Sequence, residues 1–220
     1  MSFRIPVQQN MMRGNDEWAK RNRNMLAEHN VFTINMLSSP GAGKTSLLEA
    51  VIPRLKQQLH VAVIEGDVYT TLDAERIANL GIPTVQINTQ GACHLDAKMI
   101  NSALQSLPLS RMNLLIIENV GNLVCPASFD LGEDCRVTVI STTEGADKVE
   151  KYPEAFQRSH AILLNKIDLL PYLNFKTDQF RRAVEQINLK VPIFNISAIT
   201  GEGRELWEEW LTKRVCQNRE

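Results

Sequence analysis

The chain has 220 residues, 44% hydrophobic and 22% charged, which is enough to bury one substantial core. A formal net charge of -1 and a pI near 6.4 give no electrostatic push toward nucleic acid or an anionic membrane. Four irregularly spaced cysteines make no disulfide framework, and no run approaches 18 consecutive apolar residues, so a cytoplasmic protein without membrane insertion is expected.

In chain order, residues 15–29 read as a charged helix. Asn15 and Asp16 would cap it, and Trp18, Met25 and Leu26 would be its buried contacts. It belongs to an N-terminal helical extension, residues 1–30, ahead of a nucleotide domain over 31–216. The apolar run 31–37 predicts a strand, and "SSPGAGKTS" follows it directly before a helix over 44–58. This is a phosphate-binding loop in its strand–loop–helix context, with Ser38 where the strict pattern has glycine. Gly41 and Gly43 let main-chain N–H groups approach phosphates closely, and Lys44 is placed to reach the β- and γ-phosphates. The Thr45 hydroxyl is a Mg2+ ligand, and Ser39, Ala42 and Ser46 complete the nucleotide-binding loop. Ser39 also stands where a related group of dimeric ATPases has a lysine, which argues against that branch.

The next strand, 61–66, ends in "EGD", so Glu65 and Asp67 sit at a strand end. Asp67 is a candidate Mg2+-facing carboxylate. A helix over 72–80 leads to a strand over 84–88, then "NTQGACHLD". The adjacent Cys93 and His94 are open to three readings: metal ligands, a nucleophile beside its base, or core packing. A helix over 95–107 precedes the strand 113–119, which ends in "ENVGN". Glu118 stands where most GTPases have aspartate, and Gly121 keeps the glycine. Either Asp67 or Glu118 could be the carboxylate that faces the metal.

The strand 136–142 and a helix over 147–158 lead to the strand 160–166, followed by "NKID". Asn165, Lys166 and Asp168 form the guanine-reading motif. Guanine offers two adjacent donors, N1–H and the 2-amino group, and the Asp168 carboxylate supplies two acceptors, a match adenine lacks. After a helix over 177–188 and a strand over 191–197 comes "SAITGEG", where Ser197 and Ala198 complete the base site. A helix over 203–215 closes the chain. Strands alternating with helices, and strands that are almost continuously apolar, predict an α/β P-loop NTPase fold: a mostly parallel sheet with helices on both faces. The nucleotide is GTP or GDP, with Mg2+.

The blocks "SSPGAGKTSLL", "GACHLDAKMI", "IIENVGNLVCPASFDLGE", "TEGADKVEKYPEAF" and "LLNKIDLLPYL" together resemble the HypB family of hydrogenase nickel-incorporation GTPases, over roughly residues 15–215. The resemblance implies a GTPase that forms GDP and phosphate; Lys44, Thr45, Asp67 and Glu118 are its candidate machinery, and slow turnover is expected because no residue stands out as an arginine finger or water-positioning base. The resemblance implies a Ni2+ or Zn2+ site made by Cys93, His94 and Cys125. It also implies a nucleotide-linked homodimer, a HypA-type nickel-binding partner, and delivery, directly or indirectly, to a [NiFe]-hydrogenase large subunit. Residues 1–28 hold no Cys and no His, so the nickel-storage motif that many members carry is not expected there. Two alternatives are a sister metallochaperone GTPase serving urease or another metalloenzyme, and a signalling-type GTPase with no metal role. Cys135, Cys216, His29, His60 and His160 are expected to be structural or solvated.

Overall fold

The computed structural model describes residues 7–218. The chain runs α1 (Val7–Glu28), β1 (Phe32–Ser38), α2 (Lys44–Leu55), β2 (Val61–Asp67), α3 (Leu72–Ala78), β3 (Thr84–Asn88) and α4 (Ala97–Leu104). It continues through β4 (Leu114–Glu118), α5 (Cys125–Ser128), β5 (Cys135–Ser141), α6 (Lys148–Lys151), α7 (Pro153–Gln157), β6 (Ala161–Asn165), α8 (Thr177–Ile187), β7 (Ile193–Asn195) and α9 (Arg204–Gln217). The seven strands pair in parallel in the order β3-β2-β4-β1-β5-β6-β7, the α/β architecture that the apolar runs imply.

Alternate residues of each inner strand point to opposite faces, and both faces are covered. Ile34 and Met36 of β1, with Leu114 and Ile116 of β4, pack against Leu47, Val51 and Ile52 of α2 and Trp207 and Leu211 of α9. Leu115 and Ile117 face the other way, toward Ile100, Ala103 and Leu104 of α4 and Leu26 of α1. Farther along that second face, Ile140, Ile162 and Leu164 meet Phe156 of α7 and Phe180 and Val184 of α8. Burial on both sides is why these strands read as nearly continuous apolar runs.

Three local differences from the expected elements have identifiable causes. Asn15 and Asp16 cap nothing, because α1 starts at Val7 and carries them in its interior. The helix expected over 147–158 is two short helices, since Pro153 removes a backbone donor and Tyr152 before it takes φ -131 and ψ 53. The helix expected from residue 95 starts at Ala97, where Asp96 accepts from the Met99 N–H at 2.7 Å as N-cap. Among the described residues no helix is long and apolar enough to cross a membrane.

Ligands in such sheets gather beyond the carboxyl ends of the strands, near the point where the strand order reverses. Here that point is β1, flanked by β4 on one side and β5 on the other.

Candidate functional site

A cleft of about 480 Å³ opens at that switch point, lined by the phosphate loop, the ends of β2 and β4, and α3. Gly41 and Gly43 both take positive φ, and Lys44 and Thr45 begin α2, whose free N–H groups face the cleft end of the loop. The Lys44 ammonium is buried, donates to Ser38 Oγ at 2.8 Å, and is held below the usual lysine value by that burial. Ser38, the departure from the strict motif, thus gives the lysine a neutral partner.

Parallel register sets the carboxylates. Glu65 and Glu118 are partners on adjacent strands β2 and β4, so both reach the same end of the sheet. The Thr45 hydroxyl donates to Glu118 Oε1 at 2.8 Å. Glu118 Oε2 and Glu65 Oε2 are buried acceptors with no hydrogen-bond partner. Burial drives both carboxyls up, and Glu65 reaches about 8 with the help of neighbouring Glu118 and Asp67. Asp67 lies half-buried at the end of β2, its Oδ1 accepting from the Tyr69 and Thr70 N–H groups at 2.7 Å each. Oxygens of Glu65, Asp67 and Asp73 lie within 4.8 Å of one another. A hard-oxygen set with orphaned buried acceptors, beside a threonine hydroxyl, fits a hydrated Mg2+.

Two charged residues of this cleft, Asp73 and Arg76, escaped the sequence reading. Arg76 lines it from α3 and is gripped by Asp73 at 2.7 Å, by Glu49 of α2 at 3.0 Å, and by the Ser46 hydroxyl at 3.3 Å. Asp73 and Arg76 stand one turn apart in the block "DAERI", which was the available signal.

The base motif is assembled at the ends of β6 and β7. Lys166 adopts φ 61 and ψ 37, unusual for a side-chain-bearing residue, and Thr142 Oγ1 pins its carbonyl at 2.7 Å. Its ammonium donates to Gly41 O at 2.7 Å, so the lysine stem crosses over the phosphate loop. Asn165 joins the two motifs: its Nδ2 donates to Ala42 O at 2.9 Å and its Oδ1 accepts from the Ala198 N–H at 3.2 Å. The Ser197 hydroxyl donates to Asp168 Oδ1 at 2.6 Å and orients that carboxylate. Ser39 takes a long contact from Lys148 Nζ at 3.4 Å.

Cys93, His94 and Cys125 converge. Their ligand atoms lie within 4.8 Å of one another, although they come from the loop after β3 and from the start of α5 after β4. Cys93 Sγ is 3.6 Å from His94 Nδ1, and the His94 ring lies on Phe129 with centroids 4.0 Å apart. The neighbouring Cys125 thiol raises Cys93, and burial lowers His94, so without metal Cys93 and His94 both favour their neutral forms. Thiolates and an imidazole at this spacing suit Ni2+ or Zn2+. The other cysteines lie elsewhere: Cys135 is buried at the start of β5, its thiol pushed up to about 11 by burial, and Cys216 is exposed on α9. His160 accepts from the Arg136 N–H at 3.0 Å, and His29 and His60 are exposed.

The cleft and the cluster are linked through the residues beside them. Asn119, next to Glu118, accepts the Leu95 N–H at 3.2 Å through Oδ1, and Leu95 follows His94. Gly66, between Glu65 and Asp67, is packed so tightly on Leu95 that a Cβ there would fall 2.7 Å from its side chain. Asn122 bridges to Ser38 and donates to Cys93 O at 3.4 Å.

Known proteins resemble this chain over most of its length. The family model described as CobW/HypB/UreG, nucleotide-binding domain, matches residues 32–195. The hydrogenase maturation factor HypB of Escherichia coli strain K12 is 48% identical over 212 residues, covering 96% of this chain and 73% of that protein. The crystal structure of HypB from Helicobacter pylori in complex with nickel superposes with a TM-score of 0.89 at 35% identity, over 93% of this chain and 96% of that one. HypB from Archaeoglobus fulgidus gives a TM-score of 0.86 at 38% identity, over 92% and 98% of the two chains.

Proposed function

Because the chain belongs to the HypB family of hydrogenase maturation factors, a class of P-loop GTPases, we propose that it hydrolyses GTP to GDP and phosphate. We infer further that this cycle controls the uptake and release of a nickel ion for a [NiFe]-hydrogenase. The observation that supports the coupling is the packing of Leu95, the neighbour of His94, against Asn119 and Gly66 of the cleft.

Asn165, Lys166 and Asp168 would take the guanine, and the phosphate loop would wrap its phosphates with N–H groups and the Lys44 ammonium. Thr45 and Asp67 would hold Mg2+, with Glu118 and Glu65 on its water shell; when bound, the ion supplies positive charge to the β- and γ-phosphates. Lys44 and the loop N–H groups then stabilise negative charge as the γ-phosphoryl group passes to water. Slow turnover is expected, because Arg76, the arginine lining the cleft, is held by Asp73 and Glu49 rather than aimed free into it.

Nickel is the cargo, taken by Cys93, His94 and Cys125. Three donors from one chain leave coordination positions open, and a second copy of the chain meeting at this surface would fill them. Val124, beside Cys125, is an exposed apolar side chain suited to such a contact. A HypA-type protein would bring or remove the metal, and the hydrogenase large subunit would receive it, directly or through that partner.

The test is nickel titration with light scattering, in GTP and in GDP, on wild type and Cys93→Ala. Nickel affinity or stoichiometry should differ between the nucleotide states, and Cys93→Ala should lose most of the binding. Identical nickel binding in both states would overturn the coupling.

A further inference from the structure

The two nickel-binding segments sit on separate crossovers of the sheet. Cys93 and His94 precede α4, whereas Cys125 begins α5 and leads into residues 129–132. Links between them include the approach of the two thiols, the long Asn122–Cys93 hydrogen bond, the His94–Phe129 ring contact and the packing of Leu95 with Leu131. A third element holds both. Asn15 of α1 accepts the Ala97 N–H at 2.9 Å with its Oδ1 and donates through Nδ2 to Asp130 O at 2.7 Å. Two turns on, Asn22 donates through Nδ2 to Ala97 O at 2.7 Å and to Leu131 O at 2.9 Å, and its Oδ1 accepts from Asn101 Nδ2 at 2.9 Å.

Each asparagine therefore bonds to both sides: Asn15 once to each, Asn22 twice to the His94 side and once to the Cys125 side. Asn22 is fully buried and Asn15 nearly so, and buried amides are tolerated only when their donors and acceptors are satisfied. Ala19, between them on the same face, lets the backbone of Gly132 come up against α1, and Arg23 closes the outer edge on both oxygens of Asp130 at 2.9 Å. Leucine would fill such positions if bulk alone were needed. Amides at both positions fix the distance between two backbones.

We propose that Asn15 and Asn22 are positioning residues for the metal site: α1 is a clamp that sets the separation of the Cys93/His94 loop from Cys125. The proposal rests on the reading of that cluster as the nickel site. Neither asparagine contributes a ligand atom. Their effect is on how well the three donors are presented together.

The experiment uses the full chain and compares wild type with Asn22→Ala, Asn15→Ala and a control, Asn188→Ala. The control removes an equally connected amide, which donates to the Phe156, Gln157 and Ser159 carbonyls away from the cluster. Nickel is titrated against a competing chelator while the thiolate-to-nickel absorption is recorded, and affinity for a fluorescent GTP analogue is measured in parallel. Asn22→Ala and Asn15→Ala should each weaken nickel binding by about tenfold or more and shift the absorption band. Asn188→Ala should move neither, and GTP affinity should stay within about twofold of wild type in all three. If Asn22→Ala does not fold, Asn15→Ala carries the comparison, since it leaves the three Asn22 bonds intact.

A metal-free measurement separates the clamp from the nickel reading. In a glutathione redox buffer, the Cys93–Cys125 disulfide forms in proportion to how closely the two thiols are held, and peptide mapping quantifies it. The clamp variants should lower that effective concentration by about tenfold, the order of the change expected in nickel affinity. Wild-type nickel binding that Cys93→Ala leaves unchanged would overturn the nickel reading, while the disulfide equilibrium still judges the clamp. Folded clamp variants with wild-type nickel affinity, spectrum and thiol equilibrium would overturn the clamp.

Discussion

Glu65 sits in the core of the cleft with one oxygen unpartnered, facing Glu118 across the strand pair. In the protein without nucleotide or divalent cation, burial raises its carboxyl from 4.5 to about 8. The folded state then keeps a proton that the unfolded state loses. The stabilisation is complete below pH 4.5 and is lost as pH rises through about 8. Substituting Glu65→Gln removes this contribution, so its urea midpoint in chelator-containing buffer should fall less steeply than wild type across that window. Parallel pH profiles would place the proton elsewhere. The same carboxyl must ionise to serve a bound cation, so Mg2+ uptake near neutral pH should release protons in wild type and fewer in Glu65→Gln. Arg76 shows the same economy of charge, because its guanidinium is shared by Asp73, Glu49 and Ser46 and so ties α3 to the phosphate-loop helix.

At the scale of elements, α1 is more than an amphipathic cover. Its apolar contacts are modest, with Ala19 and Leu26 buried and Trp18 and Met25 partly so, and its register is set by Asn15, Asn22 and Arg23. Gly132 makes the seat for it. At φ +92 it lies in the left-handed region, and a Cβ there would fall 2.7 Å from Ala19 O. Gly132→Ala should therefore cost about 1–3 kcal/mol of global stability. Amide exchange should accelerate first in α1, before the sheet, because Gly132 seats this helix and lies outside the sheet. Uniform acceleration across the sheet would argue that α1 is not the first element to leave.

For the molecule as a whole, the proposed coupling needs a route from the phosphate-loop cleft to the Cys93–His94–Cys125 cluster. Asn119 stands at the junction: its Oδ1 accepts from Leu95 and Val120, and its Nδ2 donates to Asn35 Oδ1 at 3.2 Å. Coupling between two ligands is reciprocal, so any difference in nickel affinity between GTP and GDP must equal the difference nickel makes to nucleotide affinity. Asn119→Ala should shrink that ratio toward one in both measurements, without touching a phosphate or a thiol. A ratio unchanged from wild type would move the connection to Gly66 and the Asn122 bridge.

The sequence by itself determined the order of strands and helices, the phosphate loop, the guanine motif and the placement of both at strand ends. Those features are local: hydrophobic period, turn-forming glycines and short motifs depend on neighbours along the chain. The adjacency of Cys93 and His94 was equally plain, and resemblance added Cys125. Only the tertiary structure brought Cys125 to that pair, because the two loops meet through the neighbouring strands β2, β3 and β4 and not through any pattern in the chain. It also put Glu65 beside Glu118 by strand register, turned Asn15 from an expected cap into half of a clamp, and brought Arg76 to the cleft. Each of these depends on contacts between segments distant in sequence, where burial and register decide which polar groups must face one another.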